Sequence, residues 1–395
     1  MHVGLVDLKW RGHHTPYVVY LARYFTEQGH EVTFVTDEDH PRLDELPESE
    51  YLHVRTASVP KFGGDPGSNL AASIHEQWMR VRQLRRVFQI TTEAEIDVVH
   101  LLYFDRTQVP LRVASTLIRE PLPQIVTTLH RDMFTKTEHV RGAKRLTQAV
   151  TRGALYSVLS DGTVEYLTVH ADSIRDRIID RIEAATRDNT KTIPAPTPDL
   201  NADVSQTEAR EALDLQTDAP ILLFFGELRY EKGPDLLGKA IRGIEQPVTV
   251  VFAGSEADFS QRDVDEWKRE TAAAVTVIDR IEFVPEAEVD YYFIAADALV
   301  LPYRRRRGIS GPLRRACMAN THIIGNGGSD IGALIEENGL GHTFTHGSVS
   351  SLRETIVEFL VDSSQYPTDD VVRYAKEQHW RNTGRTLKIL YTNNI

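Results

Sequence analysis

Short apolar runs alternate with stretches of helical periodicity from the first residues of the chain onward. His2 to Asp7 reads as a buried strand, and Thr15-Pro16 then supplies an N-cap followed by proline at the first helical position. Val18, Leu21, Ala22 and Phe25 recur at helical spacing, so one face of that helix is predicted to pack on a sheet. Gly29 ends it, and EVTFVT (31–36) is the next strand. The rhythm continues through DVVHLL (97–102), QIVTTLH (124–130) and EYLTVH (165–170), with helical segments between most of them. Parallel strands need long crossovers, so the pattern predicts a parallel sheet covered by helices.

The segment TIPAPTPDLNADVSQTEA (192–209) is rich in Pro, Asp, Ser and Thr and poor in apolar residues, which marks a linker. A second alternation follows it, through ILLFFG (221–226), VTVVFAG (248–254), DALVLPY (297–303) and THIIGN (321–326). The expected fold is α/β, with two Rossmann-like domains whose parallel sheets face each other across a cleft. The first domain is assigned to residues 1–193, the linker to 194–219 and the second domain to 220–365. Ligands of such sheets bind beyond the carboxyl ends of the strands. Function is therefore sought in the loops GELRYEKG, YRRRRGISG and DLKWRGHH and near His130.

Bulk properties narrow the classes. The 395 residues are 41% hydrophobic and 26% charged, ordinary values for a soluble protein of two domains. A formal net charge of -12 argues against general nucleic-acid binding, so any basic cluster acts locally. The single cysteine, Cys317, forms no internal disulfide, which suits a reducing compartment. Neither a signal peptide nor an apolar run of membrane-spanning length is read, and a cytoplasmic location is expected, with contact at the inner face of a membrane left open.

The loop chemistry favours an anion. In FFGELRYEKGPDLL (224–237) a strand ends at Gly226 and a helix is predicted from Pro234, leaving Arg229 and Lys232 on the connection. Two cations beside free backbone N–H groups suit a diphosphate, although from spacing alone a solvated turn serves equally well. YRRRRGISGPLRRACMAN (303–320) places Gly308, Ser310 and Gly311 before Pro312, with Leu313, Ala316 and Cys317 following at helical spacing. A turn of small residues lets a ligand approach the backbone, and the helix N-terminus favours negative charge. For most of Arg304 to Arg307 individually, a solvated charge run is the favoured reading. His130 ends a strand and is suited to a substrate hydroxyl or a proton, although a lone histidine is more often structural, while Gly12 lets the first loop pass close to a ligand. No HExxH, paired cysteine, GxSxG or GxGxxG is present, so metalloprotease, hydrolase and nicotinamide dehydrogenase readings have little support, and no metal or other cofactor is called.

Together these stretches resemble the family 4 (group 1) glycosyltransferases of the GT-B fold over nearly the whole chain. The carriers are GHEVTFVT, DVVH, TTLH at 127–130, the IP after the first domain, GELRYEKG, and AADALVLPY followed by GISGPLRRACMAN. HWRNTGRTLKILY resembles the family's last helix, which returns to the N-terminal domain, so residues 366–395 are assigned that role. The resemblance implies transfer of a hexose from a nucleotide-diphosphate sugar, with retention and without a tightly bound metal. It places Lys232 and Arg229 on the diphosphate, backbone N–H groups of Gly308, Ser310 and Gly311 on the donor, and His130 at the reacting sugar. Two departures stand out. Glu227 occupies the position after the loop glycine where the family commonly has arginine, and Arg307 and Arg315 occupy the positions of its two glutamates. An arginine accepts no hydrogen bond, so those two are assigned instead to an anionic donor sugar or a phosphate, or they mark weakened catalysis. The competing reading is a GT-B binding or partner subunit without turnover; a sugar-nucleotide epimerase or hydrolase is a weaker third.

The acceptor falls to the N-terminal domain, and the chain does not name it; glycan, lipid-linked and small-molecule acceptors all remain. ASIHEQWMRVRQLRRVFQI (72–90) carries Ile74, Trp78, Val81 and Phe88 near one helical stripe, with Arg80, Arg82, Arg85 and Arg86 mostly elsewhere. Such a helix either lies on an anionic membrane or packs on its own sheet with a solvated basic face, and the second is favoured.

Overall fold

The computed structural model describes residues 1–8, 15–38, 40, 43–59, 70–130, 143–182, 187–197, 199–200, 202–215, 218–304, 310–362 and 369–393. The chain divides into two units, Met1–Pro196 with Trp380–Ile395, and Thr197–His379.

Unit 1 comprises β1 (His2–Asp7), α1 (Thr15–Glu27), β2 (Glu31–Thr36), β3 (Leu52–Thr56), α2 (Leu70–Glu93), β4 (Val98–Leu101), α3 (Gln108–Leu117), β5 (Gln124–Thr128), α4 (Ala143–Ser160), β6 (Tyr166–Val169), α5 (Asp172–Ile182) and β7 (Thr190–Thr192). Among the described residues these strands form a seven-stranded parallel sheet ordered β3-β2-β1-β4-β5-β6-β7. Unit 2 runs α6 (Gln206–Ala212), β8 (Ile221–Phe225), α7 (Pro234–Ala240), β9 (Val248–Ala253), α8 (Gln261–Arg269), β10 (Val275–Arg280), α9 (Glu286–Ala295), β11 (Ala298–Leu301), α10 (Gly311–Met318), β12 (His322–Asn326), α11 (Asp330–Asn338), β13 (Gly341–Phe344), α12 (Val349–Val361) and α13 (Asp369–Glu377). Its six strands are parallel in the order β10-β9-β8-β11-β12-β13. In each unit the order reverses once, between β1 and β4 and between β8 and β11, and the crevice beyond those strand ends is where such sheets bind ligands.

The strands that the apolar runs reveal lie in the sheet interiors. β3, β7, β10 and β13 are edge or near-edge strands with few fully buried positions, and their sequences carry no continuous apolar run. The polar stretch after the first unit is less of a linker than its composition suggests. The units part at Pro196 and Thr197, and Ser205 caps α6 in a capping box with Glu208. Ala209 and Leu215 are then buried in the core of unit 2.

The final helix, α14 (Trp380–Thr392), belongs to unit 1, where it packs against α1. Gly384 makes the close approach feasible, since a Cβ there would lie 2.3 Å from the ring of Tyr24. Trp380 stacks on Tyr20 at 5.8 Å and Tyr391 on Phe25 at 5.3 Å. Tyr391 also joins a buried polar chain whose proton directions are fixed by counting donors. Thr168 donates to the Thr127 carbonyl at 3.1 Å, so it accepts from Thr128 at 2.7 Å. Thr128 therefore accepts from His100 Nε2–H at 2.7 Å, and His100 Nδ1 accepts from the Tyr391 hydroxyl at 2.6 Å. Burial, with a smaller contribution from His130, pushes His100 down to about 3, which keeps the ring in this neutral form.

Helix α2 divides along its length. Val81, Leu84, Val87 and Phe88 are buried, whereas Ile74 and Trp78 near its start are 62% and 49% exposed. Its second half follows the packed reading and its first half does not. Among the described residues no helix is long and apolar enough to cross a membrane.

Candidate active site

At the switch point of unit 2, β8 ends in Gly226 with φ 113, a conformation that suits glycine. A Cβ at Gly226 would lie 2.3 Å from Lys232 Nζ, so the ammonium rests against the glycine backbone at the carboxyl end of the strand. Lys232 ends the short helical turn Tyr230–Lys232. Gly233 then takes φ 66 where a Cβ would lie 2.1 Å from the Pro302 carbonyl, which fixes the turn against the end of β11. Among the described residues Lys232 makes no ion pair. Burial lowers its pKa, the charge of Arg229 adds to this, and the pull of Glu227 opposes both. The result is a partly buried cation without a carboxylate in contact, at the place where such a sheet holds an anion.

Arg304 braces this turn. Its guanidinium donates to both carboxylate oxygens of Asp235, in the first turn of α7, at 2.7 Å each, and to the Tyr230 carbonyl at 2.8 Å. It lies 4.2 Å over the Tyr230 ring, and its own backbone N–H donates to the Glu231 carbonyl at 2.8 Å. The side chains of Arg304 and Asp235 are only 18% and 10% exposed, so the solvated reading of the arginine run fails at its first member. Burial alone would raise the Asp235 carboxyl, but the hydrogen bonds and charge of Arg304, followed by Lys239, hold it below the usual carboxylate value.

The other expected residues differ in their surroundings. Arg229 is exposed and pairs with Glu227 at 2.5 Å, so the acidic residue at the loop position binds the arginine expected to replace it. Ser310 caps α10, its hydroxyl accepting from the Leu313 N–H at 3.4 Å and lying 3.3 Å from the Tyr303 hydroxyl. Burial pushes the Tyr303 phenol up to about 12. Gly311 opens that helix with clear space on its Cβ side. Arg315, expected at the donor, has its guanidinium bound by Glu286 and Asp290 of α9, and its side chain is 18% exposed. Gly12, Arg307 and Gly308 lie outside the described residues.

Asn326, at the end of β12, has no place in the sequence reading. Its side-chain amide donates to the Tyr303 carbonyl and lies 2.6 Å from His346 Nδ1, while among the described residues its carbonyl oxygen is buried without a partner. The GNGG that follows the apolar THII run was the available signal, a strand ending in a tight turn.

In unit 1, His130 follows β5 and donates from Nε2 to the Leu102 carbonyl at 2.8 Å. Its ring stacks on Tyr103 at 4.2 Å and meets the edge of Tyr17 at 5.4 Å and the ring of His170 at 5.1 Å. The imidazole is thus held by a hydrogen bond and by rings on several sides. Among the described residues no group of three His, Cys, Asp or Glu side chains is placed to hold a metal ion.

Two parallel-sheet units with reversed strand order, each carrying polar loops at its switch point, have the architecture of the GT-B class. Sucrose-phosphate synthase from Thermosynechococcus elongatus has a similar structure, with a TM-score of 0.74 at 17% identity over 99% of this chain and 98% of that one. HepE from Anabaena, in complex with UDP and glucose, is similar with a TM-score of 0.66 at 15% identity over 98% of each chain. The family follows from sequence. A glycosyl transferase 4-like domain matches residues 14–209 and the glycosyl transferases group 1 family matches residues 205–378. The chain belongs to the group 1 glycosyltransferases. A D-inositol 3-phosphate glycosyltransferase from Xylanimonas cellulosilytica is 28% identical over 152 residues, a match spanning 36% of this chain and 35% of that relative.

Proposed function

We propose that the protein transfers a hexose from a nucleotide-diphosphate sugar, with retention at the anomeric carbon and without a bound metal. The observation that carries this reading is the Lys232 ammonium, held at the carboxyl end of β8 with no carboxylate in contact among the described residues. A diphosphate against it gains a charge-assisted contact in a partly dry setting, and the same contact strengthens as negative charge develops on the leaving phosphate. Gly311 and the N-terminus of α10 supply a second approach for the donor, and His130 stands at the sugar, oriented by the Leu102 carbonyl and Tyr103. The complex of HepE with UDP and glucose supports a donor of this class. Sucrose-phosphate synthase and the D-inositol 3-phosphate glycosyltransferase, both named for small phosphorylated compounds, support a small polar acceptor.

The test is incubation with UDP-, GDP-, ADP- and dTDP-hexoses and mixed acceptors in the presence of a chelator, with proton NMR of the anomeric signal. Transfer that keeps the donor's anomeric configuration supports the reading; inversion, or loss of activity with chelator that a divalent ion restores, overturns it. Peripheral membrane contact is included in the proposal because Ile74 and Trp78 on α2 and Leu146 and Val150 on α4 are exposed in basic helices. Failure to sediment with anionic vesicles at low salt would remove that part alone.

A further inference from the structure

The switch point of unit 1 holds a pocket of its own. It is an open cleft between the ends of β1 and β4 and the middle of α2, with about 650 Å³ of empty space, part of it open solvent at the mouth. Val6, Leu84 and Leu101 form apolar wall, and Arg80, Asp105 and Arg106 bring charge to it. Tyr103 is shared: it lines the pocket and stacks on His130 at 4.2 Å.

The charges are unequally matched. Arg80 is 18% exposed, pairs with Glu76 one turn earlier on α2, and donates to the Arg106 carbonyl at 3.2 Å. Burial lowers its pKa against the pull of Glu76, and the charge of Arg106 lowers it further. Arg106 is exposed at the rim, and among the described residues its guanidinium makes no ion pair. Asp37, just after β2, accepts from Ser58 at 2.7 Å, from the Glu38 N–H at 2.9 Å and from Gln83, a lining residue, at 3.4 Å. Asp105 has Oδ2 3.4 Å from the His130 backbone N–H. Two neighbouring guanidiniums thus share one pocket in which, among the described residues, Asp105 is the lining carboxylate, and its Oδ2 faces the His130 backbone N–H.

We infer that this pocket receives the acceptor and that the acceptor is a small phosphorylated polyol, its phosphate held by Arg106 and Arg80 and its hydroxyls directed past Asp105 toward His130. The forked guanidinium matches phosphate oxygens, and an anion between the two arginines removes their mutual repulsion. The acceptor role rests on the transferase reading; the anion site does not.

The experiment is calorimetric titration of the full chain with glucose 6-phosphate, glucose 1-phosphate and glycerol 3-phosphate, with glucose and glycerol as neutral counterparts and UDP in parallel. At least one ester should bind roughly tenfold or more tightly than its neutral parent, and Arg106→Gln should remove that difference while UDP affinity stays unchanged. Arg106 is exposed, so the variant should fold; Arg106→Lys should recover part of the affinity and Arg80→Gln should weaken it. Binding only to phosphatidylinositol vesicles, lost in Arg106→Gln, would assign the same anion to a lipid headgroup. Equal binding of esters and parents, no binding of any of these probes, or indifference to Arg106→Gln overturns the inference. Ester binding without any nucleotide binding would leave the anion pocket standing and defeat the transferase reading.

Discussion

Arg304 is the side chain whose removal should most clearly link stability to donor binding. In Arg304→Ala, Asp235 loses both 2.7 Å hydrogen bonds and keeps only Lys239 at 3.4 Å, with its own side chain 10% exposed. Removing one partner of a fully buried pair costs about 3–5 kcal/mol. The Arg304 side chain is 18% exposed and Lys239 remains, so the cost falls below that range, at about 2–3 kcal/mol. For a unit of this size that lowers the melting midpoint by roughly 4–12 °C. The Tyr230 carbonyl and ring lose their partner too, so the turn carrying Lys232 loosens and nucleotide affinity should fall by roughly tenfold or more. Differential scanning calorimetry and nucleotide titration of Arg304→Ala, Asp235→Ala and the double variant complete a cycle, with a coupling of about 1–3 kcal/mol expected. Arg304→Lys should recover charge but not the fork, and hence only part of the loss. Additive single effects, or unchanged nucleotide affinity in Arg304→Ala, would refute the reasoning.

Gly226→Ala forces a side chain at φ 113 and sets a Cβ 2.3 Å from Lys232 Nζ, so it should displace the ammonium and weaken nucleotide binding by roughly tenfold or more; titration showing wild-type affinity would contradict this. Burial pushes both His100 and His322 down to about 3, with His130 and His342 respectively adding to the effect. Their folded values lie below the unfolded value near 6.5, so nothing changes above that pH. Between about 6.5 and 3 the unfolded chain takes up protons that the folded one does not, and stability falls with pH by up to about 1.4 kcal/mol per unit for each ring. NMR should find both imidazoles in the neutral form down to about pH 4; titration of His100 near pH 6 would show that the buried chain from Tyr391 to Thr127 is misread, and titration of His322 near pH 6 would show the same of its 2.8 Å contact with His342.

What the chain reveals by inspection is what local pattern can carry. The interior strands announce themselves as apolar runs, and the turn at Gly226 and the helix from Pro234 follow from glycine, proline and their neighbours. The edge strands do not, because a strand covered on few sides needs no continuous apolar sequence. Arg304 was unreadable for a different reason: its partner Asp235 is 69 residues away, and four consecutive arginines look the same whether solvated or clamped. Arg315 likewise finds Glu286 and Asp290 at 29 and 25 residues' distance, which turns a residue matched to a family glutamate into part of the packing between α9 and α10. Sequence order put Lys232 on a loop; the missing information was that its ammonium rests on Gly226 and, among the described residues, pairs with no carboxylate.

The central claim is that this ammonium holds the donor diphosphate. Calorimetric titration of wild type and Lys232→Ala with UDP, GDP, ADP and dTDP tests it most directly. The account predicts that one base binds the wild type and that Lys232→Ala weakens it by about 1.5–3 kcal/mol, roughly 10- to 150-fold, at an unchanged melting midpoint without ligand. Equal affinity of wild type and variant for that nucleotide would contradict it.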